Sequence, residues 1–577
     1  MKKILVAVAW PYVNGNIHIG HLAGYLLPAD VFARYQRLRG NDVLMVSGSD
    51  CYGTPITVQA DKEGKSPEEI VKFYHQKDIN LFKQYNLSYN LYTKTTAGNH
   101  KKVVQDLFID LLKEGIIIKG IMQQYYSSKD KQFLPDRYVE GTCPHCGATD
   151  QRSDQCENCG RWLSDGELLN PVSKLTGAEV ELKNTEHYFL DFENKDLSKK
   201  LQAFIESKKG IWKKWVWRES SAWLKEGLRK RAITRDMDWA IELPVGRIRE
   251  LPKEKQLDNF EGKNVYVWFE AVIGYLSAPQ EWSQYAESQT ESIQEFNSER
   301  IFRYYKGQSK DWRDWWLNPD SRHYYFMGQD NLVFHTLMWP GELIGSSVEY
   351  TLPYNVVVNK FMNFNNAKFS KSRGNIIDSK EIADQFGTDA VRYFILSNLP
   401  ESKESNFTWG RFIDTVNNEL VANLGNFINR TLVFYSRSQM DFSENVSPEV
   451  LGKIEDAYQK MSLHMDNIEI VDSVSVLMEL SGFGNKYFND SEIWKMVKQD
   501  QARASEIMLN LLNIVEALRR LLQPFLPEAY ERLSQMLGAE TVKEEVGKDF
   551  WVFDQVSGYP DLKEVKPLFR KLEQELV

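Results

Sequence analysis

The sequence has no apolar stretch near the roughly 20 residues that a membrane-spanning helix requires, so nothing in it argues for a membrane span. It also lacks an excess of positive charge. The formal net charge is −9, which excludes a uniformly basic nucleic-acid binder and leaves only a local basic face for any polyanion. Cysteine is scarce, five in 577 residues, which excludes a disulfide-dense secreted scaffold. No internal repeat or low-complexity tract is visible. The start, Met1 to Ala9, has the outline of a signal peptide. Its apolar run is short, breaks into Trp10-Pro11-Tyr12 and lacks a small-residue cleavage site. It reads as a buried strand, and the expected compartment is the cytoplasm.

What is present is the composition of an ordinary globular protein, 42% hydrophobic and 26% charged. The length exceeds one core, and about 150 residues per domain predicts about four units. Four of the five cysteines are clustered as Cys143, Cys146, Cys156 and Cys159, a C-x2-C-x9-C-x2-C pattern. Two short knuckles of thiolates suit a tetrahedral zinc ion at about 2.3 Å from each sulfur. Two disulfides are the alternative, which a long, otherwise cysteine-poor cytosolic chain disfavours. Four protein ligands close the site, so the expected zinc is structural, one per chain. Cys51 reads as a buried thiol.

Residues 1–117 alternate strand and helix signals. "NDVLMVSGSD" reads as a second buried strand, and Ser66, Pro67, Glu68 and Glu69 as a helix start. Such alternation predicts a doubly wound, Rossmann-type parallel sheet. Residues 118–232 break the rhythm with the cysteine knuckles and the basic, tryptophan-rich stretch 208–231, and are expected to be an insertion. Strand and helix signals return over 233–350. Beyond 400, apolar residues recur at helical spacing, which predicts an all-α bundle.

"NIHIGHLAG" places His18 and His21 one turn apart where the first strand hands over to a helix. A helix start offers free N–H groups and a dipole to an anion, and Gly20 leaves backbone bare for a flat ring. Far along the chain, "AKFSKSRGN" carries Lys368, Lys371 and Arg373 among small residues. Its glycine spacing is not that of a Walker loop. It reads as a loop carrying cations toward phosphate, or as a solvated basic turn.

These two stretches resemble the HIGH and KMSKS signatures of class I aminoacyl-tRNA synthetases, with Phe369 in the methionine position of the second. Within that class the match is to the methionyl-tRNA synthetase family. It is carried by "WPYVNGNIHIGH", "GSDCYGTP", "FLPDRYVEGTCPHCG", "TRDMDW", "YVWFEAVIGY", "GQDNLVFHTLMWP" and "DAVRYF", spread over nearly the whole chain. The resemblance implies activation of L-methionine by ATP to methionyl-adenylate and pyrophosphate, then transfer to the 3′ end of tRNA(Met), with Mg²⁺ accompanying ATP. It implies His18, His21, Lys368 and Lys371 as catalytic groups, with Gly20, His18, His21, Ser370 and Lys371 holding ATP. It also implies four regions. A split catalytic unit spans 1–117 and 233–350, with 118–232 as the zinc-bearing insertion. A stem-contact region with the KFSKS loop spans 351–400, and a helical anticodon-binding domain spans 401–577. The chain ends close to where that bundle should end, so a monomer is expected.

By the same resemblance, methionine is held by Tyr12, Asp50, Trp268, Ala271, Tyr275, Phe334, His335 and Trp339. A thioether favours aromatic neighbours by about 0.3–1.5 kcal/mol per contact. Trp268, Ala271 and Tyr275 share helical spacing, and His335 with Trp339 is an i, i+4 pair. Asp50, at a strand end, is expected to take the substrate ammonium. Trp10, Val272 and Asn331 stand where many members carry leucine, proline and an aliphatic residue. In the bundle, Asn426, Arg430 and Trp494 are expected to read the anticodon. Alternatives are another class I synthetase of the Met/Leu/Ile/Val/Cys group, and an inactive tRNA-binding relative. No insertion here has room for the editing domain of the leucine, isoleucine and valine enzymes.

Overall fold

The structure, a computed structural model, describes every residue except 130–131, 135–137, 154–155, 157, 160, 162, 164–165, 175, 367–375, 439–444, 543 and 574–577. Its centre is a seven-stranded sheet: β1 Lys3–Val8, β2 Asp42–Ser49, β3 Leu91–Lys94, β4 Ile293–Phe296, β5 Ile301–Tyr304, β6 Arg322–Gly328 and β7 Pro353–Asn359. The spatial order is β4-β5-β3-β2-β1-β6-β7. From β3 to β7 every neighbouring pair is parallel, and β1 lies between β2 and β6. Helices cover both faces, so Ile4 to Val8 and all of β2 are buried and read as continuous apolar runs. The doubly wound expectation holds for these five strands. The β4–β5 edge is antiparallel, because the few residues linking the two strands allow only a hairpin. The last strand, β7, lies past the expected limit of 350.

The stretch after helix Gly98–Lys113 opens with strand Ile117–Ser127, paired antiparallel with Glu181–Leu190. A smaller sheet of Val139–Thr142, Gln151–Arg152 and Leu169–Ser173 carries the cysteine knuckles on a separate small core. The basic tryptophan-rich stretch forms helix Lys214–Glu226 and packs on the main core through Trp212 and Val216. Trp212 donates its indole N–H to the Tyr354 carbonyl at 3.1 Å, and Lys360 stands 3.8 Å over the Trp215 ring. That segment is therefore partly docked, not a wholly solvated basic helix.

The C-terminal region is helical, with Pro448–Asp466, Ile470–Asp490, Gln501–Leu522 and Pro527–Leu537 as its main helices. Ser447 and Asp500 cap two of them through their side chains. Arg392, fully buried, ties this bundle to the sheet unit. Its guanidinium donates to Asp30 Oδ2 (2.9 Å), Tyr85 O (3.0 Å), Phe525 O (2.7 Å) and Pro524 O (3.2 Å). Burial alone would raise the Asp30 pKa. Arg34 and Arg392 overcome it and hold the carboxyl at about 2. Among the described residues no helix is long and apolar enough to cross a membrane.

Candidate active site

The connection leaving β1 leads to β2 on one side, and that leaving β6 leads to β7 on the other. Ligands of open α/β sheets bind at such a switch point, outside the carboxyl ends of the strands. A cavity of about 760 Å³ opens there. Tyr12, His18, Gly20, His21, Asp50, Trp268, Ala271, Tyr275, Phe334 and His335 all line it. A wider cleft of about 1150 Å³, between helix Thr54–Glu63 and the insertion, holds none of them.

His18 caps the single turn Ile19–His21, which passes into a π-helical turn, Leu22–Leu26. The expected free N–H groups are not there. Gly20 N–H donates to His18 Nδ1 at 3.2 Å, and His18 N–H to His21 Nδ1 at 3.2 Å. Ile19 N–H donates to Ile377 O and His21 N–H to His18 O. The two rings, 3.9 Å apart, have themselves capped the turn. With Nδ1 accepting, each neutral imidazole carries its proton on Nε2. The segment thus carries its side-chain N–H groups on two ring Nε2 atoms in place of a backbone nest.

At the other end of the cavity Asp50 extends β2 and bridges to Tyr12. Its side chain is buried, and among the described residues Oδ1 has no hydrogen-bond partner. Burial, and secondly the nearby Glu270, push its pKa well above the usual carboxylate range. A buried acid with an open oxygen is chemically suited to a cationic donor.

The wall beside it is aromatic, with the Trp268 and Phe334 rings 4.1 Å apart. His335 Nδ1–H donates to Asn331 O at 2.9 Å, so Nε2 accepts from the Tyr275 hydroxyl at 2.8 Å. Burial holds this histidine neutral, its pKa pushed down to about 4. Trp339 corrects an expectation. It does not reach the cavity and lies fully buried behind it, donating to the Tyr325 hydroxyl at 2.9 Å. A π-helical turn, Phe334–Met338, precedes it.

Lys368, Ser370 and Lys371 lie outside the described residues. Both flanks of their segment adjoin the cavity. Lys360, Phe361 and Met362 line it on one side. On the other, Ile19 N–H donates to Ile377 O and Ser379 N–H to Ile17 O. Glu219 and Trp223, from helix Lys214–Glu226, also line the mouth. Sequence reasoning missed them because a basic stretch drew attention to charge instead of to the face turned inward.

The four clustered cysteines bring their sulfurs within 4.8 Å of one another. Cys143 and Cys159 are 4.0 Å apart and Cys146 and Cys156 3.6 Å, far beyond the roughly 2.05 Å of a disulfide. Four sulfurs at about 2.3 Å from one tetrahedral ion stand about 3.8 Å apart. The donor set and its spacing therefore fit that geometry.

Comparison with known proteins agrees with this geometry. Residues 4–432 match the family of class I tRNA synthetases (M), and residues 443–576 match the anticodon binding domain of methionyl tRNA ligase. The chain belongs to the class I methionyl-tRNA synthetase family. Among relatives in this family, the methionine–tRNA ligase of Roseiflexus sp. is 40% identical over 547 residues, covering 93% of this chain and 87% of its own. That of Chloroflexus aurantiacus is 39% identical and covers 100% and 98%. The methionyl-tRNA synthetase of Mycobacterium tuberculosis, solved with methionyl-adenylate, has the same fold, with a TM-score of 0.75 at 20% identity over 99% of this chain and 100% of that one.

Two further features of this synthetase-family chain bear on its cavity and its bundle. The Trp10 ring lies between Gly48 of β2 and Gly274 of helix Val267–Ala286. A Cβ would fall 2.2 Å from the ring at Gly48 and 2.6 Å from it at Gly274. In the bundle, Arg430 donates to Asn489 Oδ1 at 2.9 Å and stands 4.4 Å over the Phe488 ring. Trp494, 41% exposed, lies 6.1 Å from the same ring, and Asn426 is exposed at the start of helix Asn426–Arg437.

Proposed function

We propose that this cavity joins L-methionine to ATP and then passes methionine to the 3′ end of tRNA(Met). One observation supports it most: a single cavity has a buried, open carboxylate and an aromatic wall at one end and two Nε2–H imidazoles at the other. Asp50 takes the ammonium, and Tyr12, Trp268, Ala271, Tyr275, Phe334 and His335 take the thioether side chain. That leaves the substrate carboxylate directed at the histidines. A carboxylate oxygen attacks the α-phosphorus in line, the bond to pyrophosphate breaks, and charge develops on the phosphate oxygens. His18 and His21 stabilise that charge from fixed positions, and Gly20 lets the nucleotide approach. Lys371, assisted by Lys368 and Ser370, receives the departing pyrophosphate. In the second step a 3′ ribose hydroxyl attacks the acyl carbon and AMP leaves.

Mg²⁺ bound with ATP supplies further charge neutralisation at the phosphates. Zinc suits the four thiolates better than a hard cation does, and when bound it cross-links two knuckles of the small insertion core. Asn426, Arg430 and Trp494 face the anticodon. The four-region division expected from the sequence, a cytoplasmic location and a monomeric state complete the reading.

Methionine-dependent ATP–pyrophosphate exchange requiring Mg²⁺ tests it. His21→Ala and Lys371→Ala are each expected to lose at least about tenfold in rate with little change in methionine KM. Near-parental exchange in either variant refutes the role assigned to that residue. Equal exchange with leucine or valine refutes the substrate.

A further inference from the structure

Behind Asp50, outside the cavity wall, three buried side chains form a line. His100 Nδ1 lies 2.8 Å from Ser277 Oγ, and His100 Nε2 lies 2.7 Å from Glu270 Oε2. Ser277 Oγ donates to Gly274 O at 3.3 Å, within its own helix. Glu270 is fully buried, and among the described residues its Oε1 has no hydrogen-bond partner, as Asp50 Oδ1 has none. Among the same residues Glu270 makes no ion pair outside this line.

The line can hold its protons in two ways. In the first, Ser277 donates to His100, His100 donates to Glu270, and Glu270 is ionised. Asp50 must then carry the proton of the pair, or two buried carboxylates stand charged near each other with no cation. In the second, Ser277 keeps its bond to Gly274 O, His100 Nδ1–H donates to Ser277, and Nε2 is an acceptor. Glu270 must then carry a proton and donate it to Nε2. Two buried charges cost more than one, so the pair carries a single charge. Only the second arrangement puts it on the carboxylate that lines the cavity, where a cationic group of a substrate can neutralise it.

We propose that His100, oriented by Ser277, holds Glu270 protonated, so that the negative charge of the Asp50–Glu270 pair resides on Asp50, facing the substrate ammonium. Glu270, His100 and Ser277 are positioning residues. The proposal rests on the reading of Asp50 as the ammonium site. Burial pushes both carboxyls of the pair well above the ordinary carboxylate range, Asp50 through Glu270 as well, so the choice between them rests on the hydrogen-bonded line. Burial also pushes His100 down to about 3, which keeps the ring neutral and Nε2 able to accept. Sequence offered one signal, a lone acid in the otherwise apolar run "VYVWFEAVIGYLSA".

The test is a set of methionine KM values from pyrophosphate exchange, with ATP KM measured beside them. Asp50→Asn is expected to raise methionine KM by about 100-fold or more. Glu270→Gln, a permanent mimic of the protonated acid, is expected to stay within about threefold of the parent. His100→Ala removes the acceptor that holds the proton on Glu270. It should raise methionine KM about tenfold and leave ATP KM unchanged. Adding Glu270→Gln to His100→Ala should bring methionine KM back to within about threefold of the parent. Rescue of that kind does not follow from a merely structural loss. A double variant no better than His100→Ala overturns the proposal, as does Glu270→Gln as damaging as Asp50→Asn. If Glu270→Gln does not fold, Glu270→Met, uncharged and of similar length, is read against the same limits. An Asp50→Asn variant with parental methionine KM refutes the ammonium reading itself, a failure distinct from the other two.

Discussion

Gly274→Ala separates two forces that act on one residue. Gly274 lies inside helix Val267–Ala286, where replacing glycine by alanine normally stabilises by about 1 kcal/mol. Here the new Cβ falls 2.6 Å from Trp10 Cε2 and Cζ2 and 3.0 Å from Cη2. The ring cannot retreat, since its far edge already stands where a Cβ on Gly48 would be 2.2 Å away. It can yield only toward the cavity that Trp10 helps to line. Overpacking of this kind costs about 1–3 kcal/mol. The net effect in the parent is then about 0–2 kcal/mol of destabilisation, with methionine KM raised as the ring moves into the pocket. In a Trp10→Leu background the overlap is gone, and the same substitution should stabilise by about 1 kcal/mol. The coupling energy across the cycle is therefore about 1–3 kcal/mol. Urea unfolding of the four proteins, with methionine KM measured on each, reads it. If Gly274→Ala stabilises the parent, or shifts both backgrounds equally, the reasoning is wrong.

Three further outcomes are expected. Elemental analysis should find one zinc per chain, lost when Cys143→Ser and Cys159→Ser are combined, with local unfolding of the insertion. Trp494→Ala should lower kcat/KM for tRNA charging about five- to 150-fold, as loss of a stacking platform does, and leave exchange without tRNA within about twofold. If both activities fall together, Trp494 serves the fold and not the tRNA. Burial, helped by Glu528, pushes buried Asp389 up to about 7. Its folded pKa exceeds the unfolded one, so its contribution to stability is full below about pH 4 and is lost as pH rises to about 7. Asp389→Asn keeps an acceptor for Ala529 N–H. Melting temperatures across pH 4–8 should decline less in this variant, and an unchanged slope contradicts the assignment.

The legible parts were those decided by near neighbours in the chain. β1 and β2 announced themselves as unbroken apolar runs. Ser66 and Glu69 form the reciprocal cap their spacing predicts. The cysteine knuckles converge, because each pair needs only its own short turn. What sequence reasoning missed depends on geometry that spacing does not encode. Trp339 lies behind the wall, packed on Tyr325, a residue of β6 that helical spacing does not point to. The histidine rings took up the N–H groups that a helix start would otherwise offer. The Glu270–His100 contact joins residues 170 positions apart, and only the folded helix and sheet unit bring them together.

Arg392 has a consequence for the whole molecule. A guanidinium addresses carbonyls and a carboxylate on three separate stretches of chain with one planar fork, and a lysine ammonium has neither the reach nor the shape to replace it. Without it, Asp30 keeps one cation, Arg34, and the Ser88 N–H in a buried site. The span between the cavity and the Arg430–Trp494 face is thus set by a joint inside the core and not by a linker. The two ends behave like the jaws of a calliper whose screw has been locked, and an object that engages both must match one length.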